Sequence, residues 1–134
     1  MKIVYDLRTD HPTIAAMQRG SRGPGPVGLR VTHGIVGSPE WWAYIDEGQL
    51  PVHRVSGVVS GFWPGQWGGG PAEFEMQGTD GATSHWLCNL ETRRARAEFR
   101  LGRAVEVRFV IQELKTTSAG RATSEVEIAI LLGE

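Results

Sequence analysis

Three histidines, one acidic pair and a run of indoles are the residues of this chain whose types could do chemistry. His33, His53 and His85 each fall in a segment of alternating apolar residues. A neutral imidazole there can ligate a first-row metal or carry a proton near neutral pH. No His-x-His occurs, and no carboxylate lies two or four residues from any of the three, so no part of a metal site is pre-formed. The reading is therefore that no metal is bound and no cofactor is used. His85, with His53 and Asp46 as further candidates, is the residue to act as an acid or base beside an apolar cavity.

The indoles suggest where that cavity would open. Phe62-Trp63-Pro64-Gly65-Gln66-Trp67-Gly68-Gly69-Gly70 puts two large rings on a glycine-rich segment. Such rings bury much area per residue, and the glycines let a loop move. Trp63 and Trp67, with Trp86 and the adjacent Trp41 and Trp42, are expected to form a pocket mouth, with Met76 and His33 on its apolar walls. The bland reading is that the same rings plug the end of a small barrel. The segment does not hold phosphate, because no Lys-Ser or Lys-Thr follows its glycines.

Charge supplies two further candidates. Asp46 and Glu47 sit at the expected C-terminal end of a helix, where the dipole disfavours anions by a few tenths of about a kcal/mol. Arg93, Arg94, Arg96, Arg100 and Arg103 form the densest positive patch. They have no interleaved aromatic stacking platform, so they read as a solvated face and not as a nucleic-acid site. The formal net charge of -1 agrees with that reading. Cys88 is the single cysteine, which excludes an internal disulfide and a Cys-x-x-Cys pair.

The elements that must position these residues follow from periodicity. Lys2 to Arg8 alternates with Ile3, Tyr5 and Leu7 on one side, as a first strand. Asp10 caps a short helix from Pro12 to Arg19 that Gly20 ends. Val27 to Ile35 alternates again, as a second strand. Ser38-Pro39-Glu40 is the clearest helix start in the chain, since the serine accepts from first-turn amides and proline needs no donor there. That helix should stop at Gly48. Val52 to Trp63 is a third, longer strand whose Gly57 and Gly61 permit curvature or the close approach of another group.

Asp80-Gly81 marks a hairpin between 72–77 and 82–88. Taken as a two-residue loop, it pairs Met76 with His85 and Glu75 with Trp86. Phe74, Met76, His85 and Leu87 then face the core, with Glu73, Glu75 and Trp86 on the more polar side. Composition favours a weaker helix within Asn89 to Gly102. Ala104 to Leu114, with Val105, Val107, Phe109 and Ile111 on one face, pairs with Glu125 to Leu132 as the most secure strands.

About seven strands, short connections and one or two short helices predict a mainly β fold, a strongly curved antiparallel sheet closed into a small barrel or sandwich. The 134 residues, with 18 Gly and 7 Pro, suit a single domain spanning 1–134. The amino terminus lacks a signal-peptide pattern and no apolar run approaches membrane-spanning length, so the expectation is a cytoplasmic chain with no membrane partner. Exposed edge strands predict self-association as a homodimer.

The leading functional expectation is a domain binding a small apolar molecule or peptide. The first alternative is a cofactor-independent isomerase, cyclase or lyase using the same pocket. The second is an interaction or immunity-type protein that covers a partner with its acidic helix end and exposed tryptophans.

Overall fold

The computed structural model describes residues 1–63, 72–88, 97–118 and 120–133. Six strands form one antiparallel sheet: β1 (Lys2–Asp6), β2 (His53–Trp63), β3 (Ala72–Gly78), β4 (Thr83–Cys88), β5 (Ala104–Ser118) and β6 (Arg121–Leu132). Their order is β1-β6-β5-β2-β3-β4, which leaves β1 and β4 as open edges. Two helices, α1 (His11–Arg22) and α2 (Pro39–Asp46), accompany them. The mainly β expectation therefore holds, with six strands among the described residues where about seven were expected. Neither helix is long and apolar enough to cross a membrane.

The chain divides into two compact units. The first comprises Met1–Tyr5, Arg54–Arg108 and Ala129–Glu134; the second comprises Asp6–His53 and Phe109–Ile128. In the first, Val59, Phe74, Met76, Trp86, Val105, Val107 and Ile130 are buried, and Phe99 packs its ring 4.9 Å from that of Phe74. In the second, Leu7, Leu29, Val36, Trp41, Leu50, Val110 and Val126 are buried.

Local signals account for both helix starts. The Asp10 carboxylate accepts from the Thr13 amide, and Ser38 Oγ accepts from the Trp41 amide at 3.2 Å. The first helix departs from expectation at its end, passing through Gly20 to Arg22. Lys115 Nζ explains the extension, donating to the carbonyls of Gly20 at 2.6 Å and Gly23 at 2.7 Å. An ammonium group thus satisfies carbonyls that a helix end leaves without partners.

The strand expected over 27–35 does not form. Only Leu29 makes a bridge, to Leu114, and Val27 and Val31 are exposed. Gly28 at φ 128° and Gly34 at φ 74° take the backbone out of the extended region. Gln112 orders this segment instead. Its buried amide donates to the Arg30 carbonyl at 2.7 Å and Thr32 Oγ1 at 3.0 Å, and accepts from Trp41 Nε1 at 3.3 Å. One strand side chain thereby ties α2 to an irregular loop.

Two further expectations shift. On β5 the buried residues are Val105 and Val107, then Val110 and Gln112, while Ile111 is exposed. Burial thus falls on odd positions at 105 and 107 and on even positions at 110 and 112, so Phe109 and Ile111 are not buried as the alternation predicts. Residues 97–103 are turns and coil, so the described part of the expected 89–102 helix is not helical; 89–96 lies outside the described residues.

These contacts make Trp41 the central ring of the second unit. Trp41→Ala is expected to lower unfolding stability by about 3–5 kcal/mol, through lost burial and an unsatisfied Gln112 oxygen. Trp42→Ala should cost about 1 kcal/mol. Urea unfolding of the two variants checks this, and equal losses would remove Trp41 from that role.

Candidate functional site

The register of β3 on β4 determines what the first unit presents to solvent. The Gly81 amide donates to the Gly78 carbonyl at 3.0 Å, the Gly78 amide donates to the Ala82 carbonyl at 2.7 Å, and Gly81 has φ 84°. The loop is therefore Thr79-Asp80-Gly81, three residues closed by a left-handed glycine. Asp80 Oδ1 accepts from the Ala82 amide at 3.0 Å, which supports the turn from its side chain. Glu75 then pairs with His85, Phe74 with Trp86 and Met76 with Ser84.

This is one residue away from the two-residue reading, and a slip of one reverses every β4 side chain. Trp86 turns inward, 8% exposed, with its indole N–H donating to Ser84 Oγ at 2.8 Å. The His85 side chain turns outward and is 52% exposed. The expected core face of His85 and Leu87 is thus corrected to Trp86 and Ser84.

Three strands now share one exposed face. Trp63 on β2 lies opposite Glu73 on β3, which lies opposite Leu87 on β4. The next row is Gly61, Glu75 and His85, and the third is Val58, Gln77 and Thr83. Trp63 is 47% exposed, Leu87 39% and Val58 39%, while Glu73 is exposed. An indole so open to water on a sheet is the kind of residue that anchors a protein interface.

The ring is held in place. The Trp63 indole stacks on the His85 imidazole with centroids 5.3 Å apart and planes at 28°. His85 Nε2 lies 3.3 Å from Glu75 Oε2, and Ser60 Oγ donates to Glu75 Oε1 at 2.8 Å. Gly61 matters here because a Cβ at that position would come within 3.0 Å of Trp63 Cη2. The glycine lets the indole lie back over β2. The pairing register also shifts between Val59 and Gly61, an irregularity that leaves Ser60 without a β3 partner.

The other sequence candidates take separate places. Trp41 is fully buried and Met76 is in the core of the first unit. Trp42 is half-buried under the Arg8 guanidinium, 4.1 Å from its ring centroid. Arg8 also donates to Asp46 Oδ1 at 2.8 Å, which brings a cation to the helix end where the acidic pair looked misplaced. His33 meets the Tyr44 ring edge-on at 5.3 Å and its Nδ1 is 2.8 Å from Thr32 Oγ1. His53 is exposed and stacks on Phe109 at 5.4 Å. Trp67 lies outside the described residues, as do Arg93, Arg94 and Arg96. Arg103 donates to the Gly133 carbonyl at 2.7 Å and the Glu98 carbonyl at 2.9 Å, so its guanidinium is used within the first unit.

A cleft of about 390 Å³ in the second unit is lined by Arg30, Glu113, Lys115 and Thr116 among others, and one of about 340 Å³ in the first by Met1, Val58, Gln77 and Val105 among others. Neither is lined by a tryptophan or a histidine. No group of three or more His, Cys, Asp or Glu suited to a metal occurs among the described residues. Among the described residues, the β2–β3–β4 face displays aromatic and acidic side chains to solvent.

Comparison with known families bears on the function of the whole chain. Residues 1–132 match the family described as immunity protein RhsI2. The chain belongs to that family. A comparison with curated proteins finds no match. Membership overturns the expectation of a carrier for a small apolar molecule or peptide, and favours the interaction and immunity-type alternative. The small-molecule partner is corrected with it. The tryptophans misled because indole-rich segments serve protein contacts and pocket mouths alike.

The face should be nearly independent of folding. Trp63→Ala is expected to lower stability by less than about 1 kcal/mol, as for an exposed side chain. Gly61→Val should push the indole off its seat and move the His85 ring-proton chemical shifts toward those of Trp63→Ala. Unchanged His85 shifts in Gly61→Val would remove the glycine from the arrangement.

Proposed function

We propose that this chain is an immunity protein that binds a toxin protein and keeps it inactive by occupying part of its surface. The observation that supports this is the RhsI2 match over residues 1–132. The contact surface we assign is the β2–β3–β4 face bearing Trp63, Glu73, His85 and Leu87. It combines a large exposed ring, an apolar neighbour and carboxylates on paired strands, and a rigid constellation binds with little loss of conformational entropy. The acidic end of α2 is a weaker choice, because Arg8 already covers the Trp42 ring and pairs with Asp46.

Expression of candidate toxin domains from the same genome, each with and without this chain, tests the reading. Growth arrest by one of them should be relieved by the intact chain, and the two should co-purify. Trp63→Ala should raise the dissociation constant of that complex by about thirtyfold or more, as for an interface anchor. Trp42→Ala should change it less than about threefold. Failure to relieve any toxin of that genome would reject the function. Relief that survives Trp63→Ala at full affinity would reject the face.

A further inference from the structure

The exposed β2–β3–β4 face is acidic as well as aromatic. Its nine positions hold two carboxylates, Glu73 and Glu75, and no lysine or arginine. Glu75 is engaged by Ser60 and His85. Glu73 makes no ion pair or side-chain hydrogen bond among the described residues, and it stands directly opposite Trp63 across the strand pair.

The second unit shows what an indole and a neighbouring carboxylate do together in this chain. Trp42 and Asp46 are four residues apart on α2, so they lie on one side of the helix. The Arg8 guanidinium sits 4.1 Å from the Trp42 ring centroid while its Nη2 donates to Asp46 at 2.8 Å. A planar cation stacks on the ring and hydrogen-bonds the carboxylate at once, which a guanidinium does better than an ammonium group. Trp63 and Glu73 offer the same two groups on a sheet, and no guanidinium among the described residues is stacked on Trp63.

We propose that the toxin docks through an arginine-bearing basic segment, one guanidinium of which lies on the Trp63 indole and pairs with the Glu73 carboxylate. The identity of the partner as a toxin protein rests on the immunity reading above. The preference of the face for arginine is separately measurable. His85 stacked behind the indole and Gly61 beneath it hold the ring for that contact. Leu87, beyond Glu73, gives the aliphatic stem of the same segment an apolar surface. Opposite charge across such a face accelerates encounter and selects partners.

The full chain, labelled with nitrogen-15, is titrated with acetylated tri-arginine, tri-lysine and tri-glutamate peptide amides. Tri-arginine should shift the Trp63 indole N–H and the Glu73 amide, saturably and less strongly as salt is raised. Tri-lysine should bind about two- to fivefold more weakly. Glu73→Gln should weaken tri-arginine binding by a similar factor, while the Trp42 indole signal stays fixed under Arg8. Equal binding of tri-glutamate, shifts only elsewhere on the chain, or indifference to Glu73→Gln would overturn the proposal. So would concentration-dependent dimerisation abolished by Trp63→Ala, which would assign the face to a second copy of this chain. In cells, toxin relief lost in Trp63→Ala but intact in Glu73→Lys would overturn the arginine contact and leave the immunity reading standing. Arginine binding in a chain that relieves no toxin would overturn the immunity reading alone.

Discussion

The three-residue turn at Thr79-Asp80-Gly81 governs the surface of the first unit. Gly81 adopts a left-handed conformation at little steric cost, and Asp80 closes the loop through the Ala82 amide. That closure places Glu75 beside His85 and Phe74 beside Trp86. Were the loop one residue shorter, Trp86 would point to solvent and His85 would enter the core. The exposed Trp63 would then lose the imidazole that backs its ring. A local choice of turn thus selects which aromatic residues stabilise the fold and which stay exposed.

The second unit solves a different problem, that of ordering a long irregular connection. Residues 23–37 contain glycines, prolines and a single bridge residue, too little regular structure to hold itself. Two side chains from β5 supply the missing hydrogen bonds. Gln112 satisfies a backbone carbonyl, a hydroxyl and the Trp41 indole, and Lys115 satisfies the carbonyls of Gly20 in α1 and of Gly23 just past its end. Both polar groups are inside or half-inside the protein, where each unmade hydrogen bond would cost about 1–3 kcal/mol. Their complete satisfaction is what lets them sit there.

An immunity-type function asks for rigidity and complementarity more than for a cavity. Regular strands present side chains at fixed spacing, and a large ring braced on two sides has little freedom left to lose on association. Trp42 is covered by an arginine of its own chain, whereas no guanidinium among the described residues is stacked on Trp63. Family membership carries the immunity-type reading, and the two clefts among the described residues are lined by no tryptophan or histidine.

The amino-acid pattern determined by itself the β-rich class, both helix starts, the strands β1, β2, β5 and β6, and the presence of a hairpin at Asp80-Gly81. Each of those rests on short-range physics: period-two alternation, a capping hydroxyl or carboxylate, a residue that tolerates positive φ. It also marked Trp63 and Gly61 as unusual without saying that one rests on the other. The tertiary structure decided the hairpin register, the burial of Trp41 against Gln112, the continuation of α1 past Gly20 and the loss of the strand at 27–35. Those outcomes depend on groups far apart in sequence, such as Lys115 reaching the end of α1 and Gln112 reaching Arg30, or on a choice between two loop lengths that the same dipeptide allows. Local propensity cannot weigh a hydrogen bond from the other end of the chain, so the exposed face became visible only once the strands were paired.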